Sequence, residues 1–380
     1  MAAHSKVSHK RVGSPNTIHD RRREIGRPRQ YVATPAAGAQ RNAGARHCGT
    51  PRASRLRFTS PVALLLLVVP MLCGCTYLEL LAHTYSPSAL PAQHFRFRDG
   101  GEAIFFTTDI RENTSQGEPA TYAFVLSGSD CTSMKYFLPQ YLLGLDGISG
   151  PVRVIALHKR FIGERTWGRI GGCSEAFIDA DHPRRWIADY TEMIESELAR
   201  HRPGRVVLVG ISEGGDVAPL LARRLKTITH VALLANGGMD PLEAFQLQAT
   251  KHVIPGARET LLALDAGAPR DATGNPEDQR RIGGRTWRYW SELQELEPTA
   301  NLLALEIPVM VVMGGNDEAL PVEAAHRLQD RFRQRGKANL TLVTYQGSDH
   351  ALFDRDEQRS HLPDFWHRLD LWLAESRISN

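Results

Sequence analysis

The stretch Arg205-Val-Val-Leu-Val-Gly210-Ile-Ser212-Glu213-Gly214-Gly215 decides how this chain is read. An apolar, largely β-branched run feeds directly into G-x-S-x-G, and a helix-like segment follows through Ala222-Arg-Arg-Leu225. Strand, tight glycine turn and helix in that order hold a serine in a strained backbone conformation, with its hydroxyl exposed above a sheet. Gly210 and Gly214 are small enough to let strand and helix approach closely. Taken alone, the pentapeptide also fits a βα turn whose serine merely caps the helix. What separates the two readings is whether the rest of the chain supplies Ser212 with a base, an acid and an oxyanion hole.

Working outward, Glu102–Thr108, Thr121–Leu126, Val152–Leu157, His230–Leu234, Pro308–Met313 and Leu340–Tyr345 read as further strands, with a turn over 112–119. From Trp186 to Arg200, apolar Ile187, Tyr190, Ile194 and Leu198 recur every three or four residues, the spacing of a helix. Helices are also expected near 322–333 and 363–375. Continuous apolar strands alternating with helices predict an α/β fold: a mostly parallel central sheet with helices on both faces. The segment over about 239–305 is too long for a simple crossover. Its helical, partly aromatic character (Glu243-Ala-Phe-Gln-Leu, Trp287-Arg-Tyr-Trp-Ser-Glu-Leu) predicts a helical lid insertion over the carboxyl edge of the sheet, where ligands bind in such folds. No internal repeat is visible.

Serine attack on an acyl carbonyl needs a base to take the hydroxyl proton and a carboxylate to orient that base. Val311-Val-Met-Gly-Gly-Asn-Asp317 places an aspartate just past an apolar strand, and Tyr345-Gln-Gly-Ser-Asp-His350 places a histidine in the loop after the next one. Asp349 and Glu318 are rivals to Asp317 for the acid. The chain order Ser, Asp, His differs from the chymotrypsin and subtilisin orders. No metal-ligand spacing, Walker loop or dinucleotide fingerprint is present, so neither metal nor cofactor is expected.

From about 94 to 375 the chain resembles the α/β-hydrolase superfamily. Gly210-Ile-Ser-Glu-Gly-Gly-Asp-Val-Ala-Pro219 is similar to the G-H-S-E-G-G-x-x-A-P elbow of its esterase and dienelactone-hydrolase-like members, with Ile211 where those members usually have histidine. The resemblance implies an α/β-hydrolase fold with Ser212 as nucleophile, His350 as base and Asp317 as orienting acid. It implies an oxyanion hole from the backbone N–H groups of Glu213 and Ser129, the latter in Ser127-Gly128-Ser129, where the family commonly has His-Gly-x. Glu213 at the helix start suits the positive end of the dipole, and Pro219 predicts a kink. His158, just past a strand, reads as a packed histidine or as one facing the site. The implied activity is hydrolysis of carboxylic esters of a small-molecule acyl substrate. Peptidase and acyltransferase chemistry share the triad, and a non-catalytic envelope binding protein on the same fold is the competing class.

The amino-terminal part is of another kind. Residues 1–60 carry thirteen Lys/Arg against Asp20 and Glu24, so the remainder is acidic although the whole chain is +4. This segment reads as a disordered basic leader, and the basic balance therefore does not point to nucleic acid. Residues 61–74 combine a short apolar run with small residues at its end, after Arg52, Arg55 and Arg57, as a secretory signal does. Leu72-Cys73-Gly74-Cys75 resembles the bacterial lipobox, which implies cleavage before Cys75 and its lipidation, with 75–93 a tether and 94–380 the folded domain. The leader is long for such a signal and is read as an upstream start codon or an unusual extension. The expected location is the cell envelope, with the chain anchored to a membrane through Cys75 and facing the periplasm or the exterior. Cys131 and Cys173 then invite a disulfide, the alternative being two separately buried thiols.

Overall fold

Uninterrupted apolar runs satisfy both faces of a strand only in the middle of a covered sheet, and the computed structural model places them there. It describes residues 90–111, 120–138, 140–168, 172–251, 256–267 and 278–376. The basic leader, the signal region, Cys75, the tether up to 89 and the 112–119 turn lie outside the described residues. In chain order the strands are β1 (Gln93–Arg96), β2 (Glu102–Ile110), β3 (Thr121–Leu126), β4 (Val152–Leu157), β5 (Arg205–Ile211), β6 (His230–Leu234), β7 (Val309–Gly314) and β8 (Leu340–Tyr345). They form one eight-stranded sheet in the order β1-β2-β4-β3-β5-β6-β7-β8. Pairing is parallel from β4 to β8, and the β1–β2 and β2–β4 ladders are antiparallel.

The helices are α1 (Glu175–Ala180), α2 (Pro183–Arg200), α3 (Gly214–Arg224), α4 (Pro241–Lys251), α5 (Ala257–Asp265), α6 (Trp287–Leu293), α7 (Pro298–Leu303), α8 (Val322–Gln334) and α9 (Leu362–Glu375). The period-two alternation of β5 divides the core. Val206 and Leu208 pack with Trp186, Ile194, Leu221 and Phe332 under α2, α3 and α8. Val207 and Val209 pack with Leu142, Phe365, Trp366 and Leu369 under α9 and the turns before β4. Each such fully buried side chain contributes about 1.5–3 kcal/mol relative to exposure. No helix among the described residues is long and apolar enough to cross a membrane.

Several boundaries differ from the sequence expectation. β1 is not expected from the sequence, because Gln93, His94 and Arg96 are exposed and carry no apolar alternation. α2 starts at Pro183 rather than Trp186; a proline at the first helical position lacks only an N–H that would have had no partner there. α3 runs through Pro219 to Arg224, within one residue of the expected end. Between α5 and α6 lies a two-residue antiparallel ladder, Arg281–Ile282 with Arg285–Thr286, in a segment that reads as helical.

Register positions the site. Leu126 of β3 pairs with Gly210 of β5, Gly210 with Leu233 of β6, and Gly314 of β7 with Tyr345 of β8. The loops after these parallel strands therefore leave the sheet along one edge. On the far side of the core, fully buried Asp370 of α9 accepts N–H bonds from Asp146 (3.0 Å), Ile148 (2.8 Å) and Ser149 (2.9 Å). Asp370→Ala removes the acceptor of all three hydrogen bonds, each worth about 1 kcal/mol. Urea denaturation of the variant is expected to show a loss of about 3 kcal/mol or more.

Candidate active site

The turn after β5 is built by close approach. A Cβ on Gly210 would lie 2.7 Å from the Gly214 carbonyl, and one on Gly214 would strike the Leu126 carbonyl of β3. Ser212, between them, takes φ 51°, the left-handed region that costs a non-glycine residue about 1–3 kcal/mol. Its backbone offsets that cost with hydrogen bonds to the neighbouring strand end. Ser212 N–H donates to Leu234 O at 2.8 Å, and Ser212 O accepts from Gly215 N at 2.8 Å and from Asn236 Nδ2 at 2.9 Å. Asn236 also donates to Asp216 Oδ1 (2.8 Å) and accepts from Gly238 N (2.8 Å), so its amide is clamped on three sides.

Asp317 and His350 emerge from the loops after β7 and β8 and meet Ser212. Asp317 Oδ1 accepts the N–H groups of Ala319 and Leu320, both at 2.8 Å, which fixes the carboxylate and leaves Oδ2 for His350 Nδ1 at 2.8 Å. His350 Nε2 lies 3.0 Å from Ser212 Oγ. With Nδ1 protonated against Asp317, Nε2 accepts the serine hydroxyl. The Asp317 carboxylate is fully buried, whereas His350 keeps part of its ring exposed. Of the rival acids, Asp349 turns its Oδ1 to the N–H groups of Ala351 (2.9 Å) and Phe353 (3.1 Å), and Glu318 is exposed.

The loop after β3 closes the other side. A Cβ on Gly128 would lie 3.4 Å from Ser212 Cβ, so Ser127-Gly128-Ser129 runs directly beside the nucleophile position. Among the described residues neither Ser129 N–H nor Glu213 N–H has a hydrogen-bond partner. Tyr190 of α2 anchors the loop, accepting Ser127 N–H at 3.2 Å and donating to Leu157 O at 3.3 Å. Cys131, two residues past Ser129, is joined to Cys173 by a disulfide. His158 does not face Ser212. Its Nε2 accepts Met134 N–H at 2.9 Å, and full burial pushes the imidazole down to about 3, so it stays neutral.

Glu213 does not simply face the helix dipole. Its carboxylate is buried in a cluster, with Lys159 Nζ at 2.5 Å from Oε2, the Tyr289 hydroxyl donating to Oε1 at 2.5 Å, and Arg285 at 3.6 Å from Oε1. Asp181 pairs with both Lys159 (3.1 Å) and Arg285. Two buried cations thus face two buried carboxylates. Burial pulls Lys159 down to about 8 despite Glu213. Arg285, from the insertion, also donates to Ser129 O at 2.6 Å, tying the insertion to the loop beside Ser212. Sequence reading missed this cluster, because charged residues ordinarily read as surface. Asn236 carried a signal, since like Asp317 it follows an apolar strand directly.

Two cavities meet at Ser212. One, of about 340 Å³, is lined by His350 with Phe137, Tyr141, Ile211 and Leu362. The other, of about 240 Å³, lies under the insertion and is lined by Asp216, Phe245, Tyr289 and Trp290 without His350. Ser129 borders both. Among the described residues, Asp354, Glu357 and His361 bring ligand atoms within 4.8 Å of one another, as a metal would require, but Asp354 Oδ1 there accepts the N–H groups of Asp356 and Glu357.

Residues 137–359, which include Ser212, Asp317 and His350, match the model of the alpha/beta hydrolase family. The chain belongs to that family. Its fold is similar to Est1E from Butyrivibrio proteoclasticus, solved with ferulic acid bound, at 18% identity and TM-score 0.51 over 75% of this chain and 99% of that one. It is also similar to the acylaminoacyl peptidase of Pyrococcus horikoshii, at 12% identity and TM-score 0.50 over 80% of this chain and 44% of that one. No curated protein sequence matches the chain.

One carboxyl of this hydrolase has a clear thermodynamic signature. Burial raises Asp216 to about 8, with Asn236 as its one polar side-chain partner among the described residues. Between pH 4 and 8 the folded chain therefore keeps a proton that the unfolded chain has lost, and stability falls as pH rises through that window, by up to about 1.4 kcal/mol per unit from this group. Asp216→Asn removes the term. Its melting temperature is expected to match wild type near pH 5 and exceed it at pH 8, as differential scanning fluorimetry would show.

Proposed function

We propose that this chain hydrolyses carboxylic esters through an acyl-enzyme formed on Ser212. The observation that carries the reading is the hydrogen-bonded chain from Asp317 through His350 to Ser212 Oγ, at 2.8 and 3.0 Å. In the first half-reaction Oγ attacks the ester carbonyl while His350 Nε2 takes its proton. Asp317 holds the resulting imidazolium. The N–H groups of Glu213 and Ser129, both unpaired among the described residues, receive the negative oxygen; such donors contribute about 10²–10³ each in rate. His350 then returns the proton to the departing alkoxide, and the C–O bond breaks. Water attacks the acyl-enzyme by the same route in reverse, releasing the acid and restoring Ser212.

The same proton path sorts the two cavities. The leaving oxygen must sit beside His350 Nε2, so the alcohol part belongs in the cavity that His350 lines. The acyl chain then takes the cavity under the insertion. At about 240 Å³, this lies below the usual range for drug-sized ligands, which favours a short acyl group.

A fluorophosphonate probe is expected to label wild type and not Ser212→Ala. Asp317→Asn should lower kcat for p-nitrophenyl acetate by about 10⁴-fold with a small change in KM, because the imidazole loses its oriented tautomer. Folded wild type that neither labels nor turns over the ester would overturn the reading.

For the amino-terminal part we propose a lipid-anchored envelope location, with mature chain beginning at Cys75. The support is the sequence Leu72-Cys73-Gly74-Cys75 behind the apolar run. Expressed in a bacterial host with its full leader, wild type is expected in the membrane fraction and Cys75→Ser outside it. Identical fractionation of the two would exclude the anchor.

A further inference from the structure

The acyl-side cavity contains a carboxyl group for which ester hydrolysis has no use. Asp216, in the first turn of α3 and 8% exposed, lines the cavity with Phe245, Tyr289 and Trp290. Oδ1 accepts from Asn236; among the described residues Oδ2 has no partner. The nearby cations are already committed, Lys159 and Arg285 being shared between Glu213 and Asp181. The carboxyl groups of Glu213 and Asp240 add only further negative charge near it. The charge of Lys159 also reaches Asp216, but among the described residues Asp216 forms no ion pair of its own.

The rest of the wall is apolar, aliphatic at Met239, Leu293 and Leu320 and aromatic at Phe245, Tyr289 and Trp290, and the polar atoms of those rings are spoken for. Trp290 Nε1–H donates to Ile282 O at 2.8 Å, and the Tyr289 hydroxyl donates to Glu213. The rings of Phe245 and Trp290 lie 5.8 Å apart and those of Tyr289 and Trp290 5.0 Å apart, a connected aromatic surface. A carboxyl beside such a surface suits an ammonium: as the amine binds, the carboxyl releases its proton to solvent, and the ammonium then gains from the opposite charge and from the π-systems together. A neutral alkyl group laid over Oδ2 would cover it without a partner, at the cost such groups carry.

Building on the hydrolase reading above, we propose that the acyl-side cavity selects substrates whose acyl part carries a protonated amine, received by Asp216 and the rings of Phe245, Tyr289 and Trp290. The substrate class is then esters of small amino acids or aminoalkyl acids. Asp216 is the residue that determines specificity and takes no part in bond making. The competing role is purely structural, with Asp216 holding Asn236 against the Ser212 carbonyl. That role would change turnover without changing which ligands the cavity prefers.

The test compares n-butylammonium with n-butanol, binding to the full chain by calorimetry and inhibiting hydrolysis of p-nitrophenyl acetate. Wild type is expected to bind the ammonium at least about tenfold more tightly than the alcohol, competitively with the ester. In Asp216→Asn the ratio of the two constants should fall to near one, and in Phe245→Leu it should fall several-fold. Because each ratio is taken within one variant, loss of turnover does not affect it. Equal affinities in wild type would overturn the proposal, as would an unchanged ratio in Asp216→Asn that still labels with the fluorophosphonate. Should Asp216→Asn not fold, an unchanged ratio in Phe245→Leu would overturn it equally. Failure of the hydrolase reading looks different: no labelling and no turnover in wild type, whatever the amine does.

Discussion

Everything at this site hangs on how closely the turn after β5 is pressed between β3 and the strand end of β6. Residues 210 and 214 have no room for a side chain, so Ser212 is forced into the left-handed backbone region with its hydroxyl outward. That strain persists because the surroundings over-determine it. Leu234 O takes the serine N–H, and Asn236 holds the serine carbonyl. The elbow is therefore a property of three adjacent strands rather than of a pentapeptide. Its precision comes from the register of the sheet.

A second constraint couples the insertion to the loop after β3. Arg285 belongs to the short ladder between α5 and α6, yet its guanidinium reaches both the Ser129 carbonyl and the buried carboxylates of Asp181 and Glu213. Buried ion clusters of this kind are weak contributors to net stability, but removing one member is costly because it leaves an uncompensated charge. They specify geometry more than they add free energy. Here the geometry specified is the position of a loop whose free N–H group lies beside Ser212, and the disulfide at Cys131 holds the same loop from its far end.

Much of this was legible in the sequence, for identifiable reasons. β3, β5, β6 and β7 are continuous apolar runs because both of their faces are covered, so their carboxyl ends stood out. Ser212, Asp317 and His350 each sit just beyond such an end, and the structure brings the three together. β1 left no trace because an edge strand with exposed polar side chains looks like a linker. Arg285, Asp181 and Lys159 left none because a charge is assigned to the surface until a partner is known, and these partners are far apart in sequence. Asp216 was hidden in another way. It was part of the quoted elbow motif, but whether it meets a cavity or a solvated face depends on the insertion, which sequence periodicity leaves open.

The alignment of strand ends also governs when the molecule becomes active. Ser129, Ser212, Asp317 and His350 come from loops spread over more than half of the chain, and the last of them follows β8, the edge strand that pairs only with β7. A nascent chain lacking β8 has its serine turn but nothing to draw the hydroxyl proton. In the proposed reaction, nucleophilic power at Ser212 therefore arrives only once β8 has paired with β7 and His350 is in place, rather than growing gradually as the sheet forms.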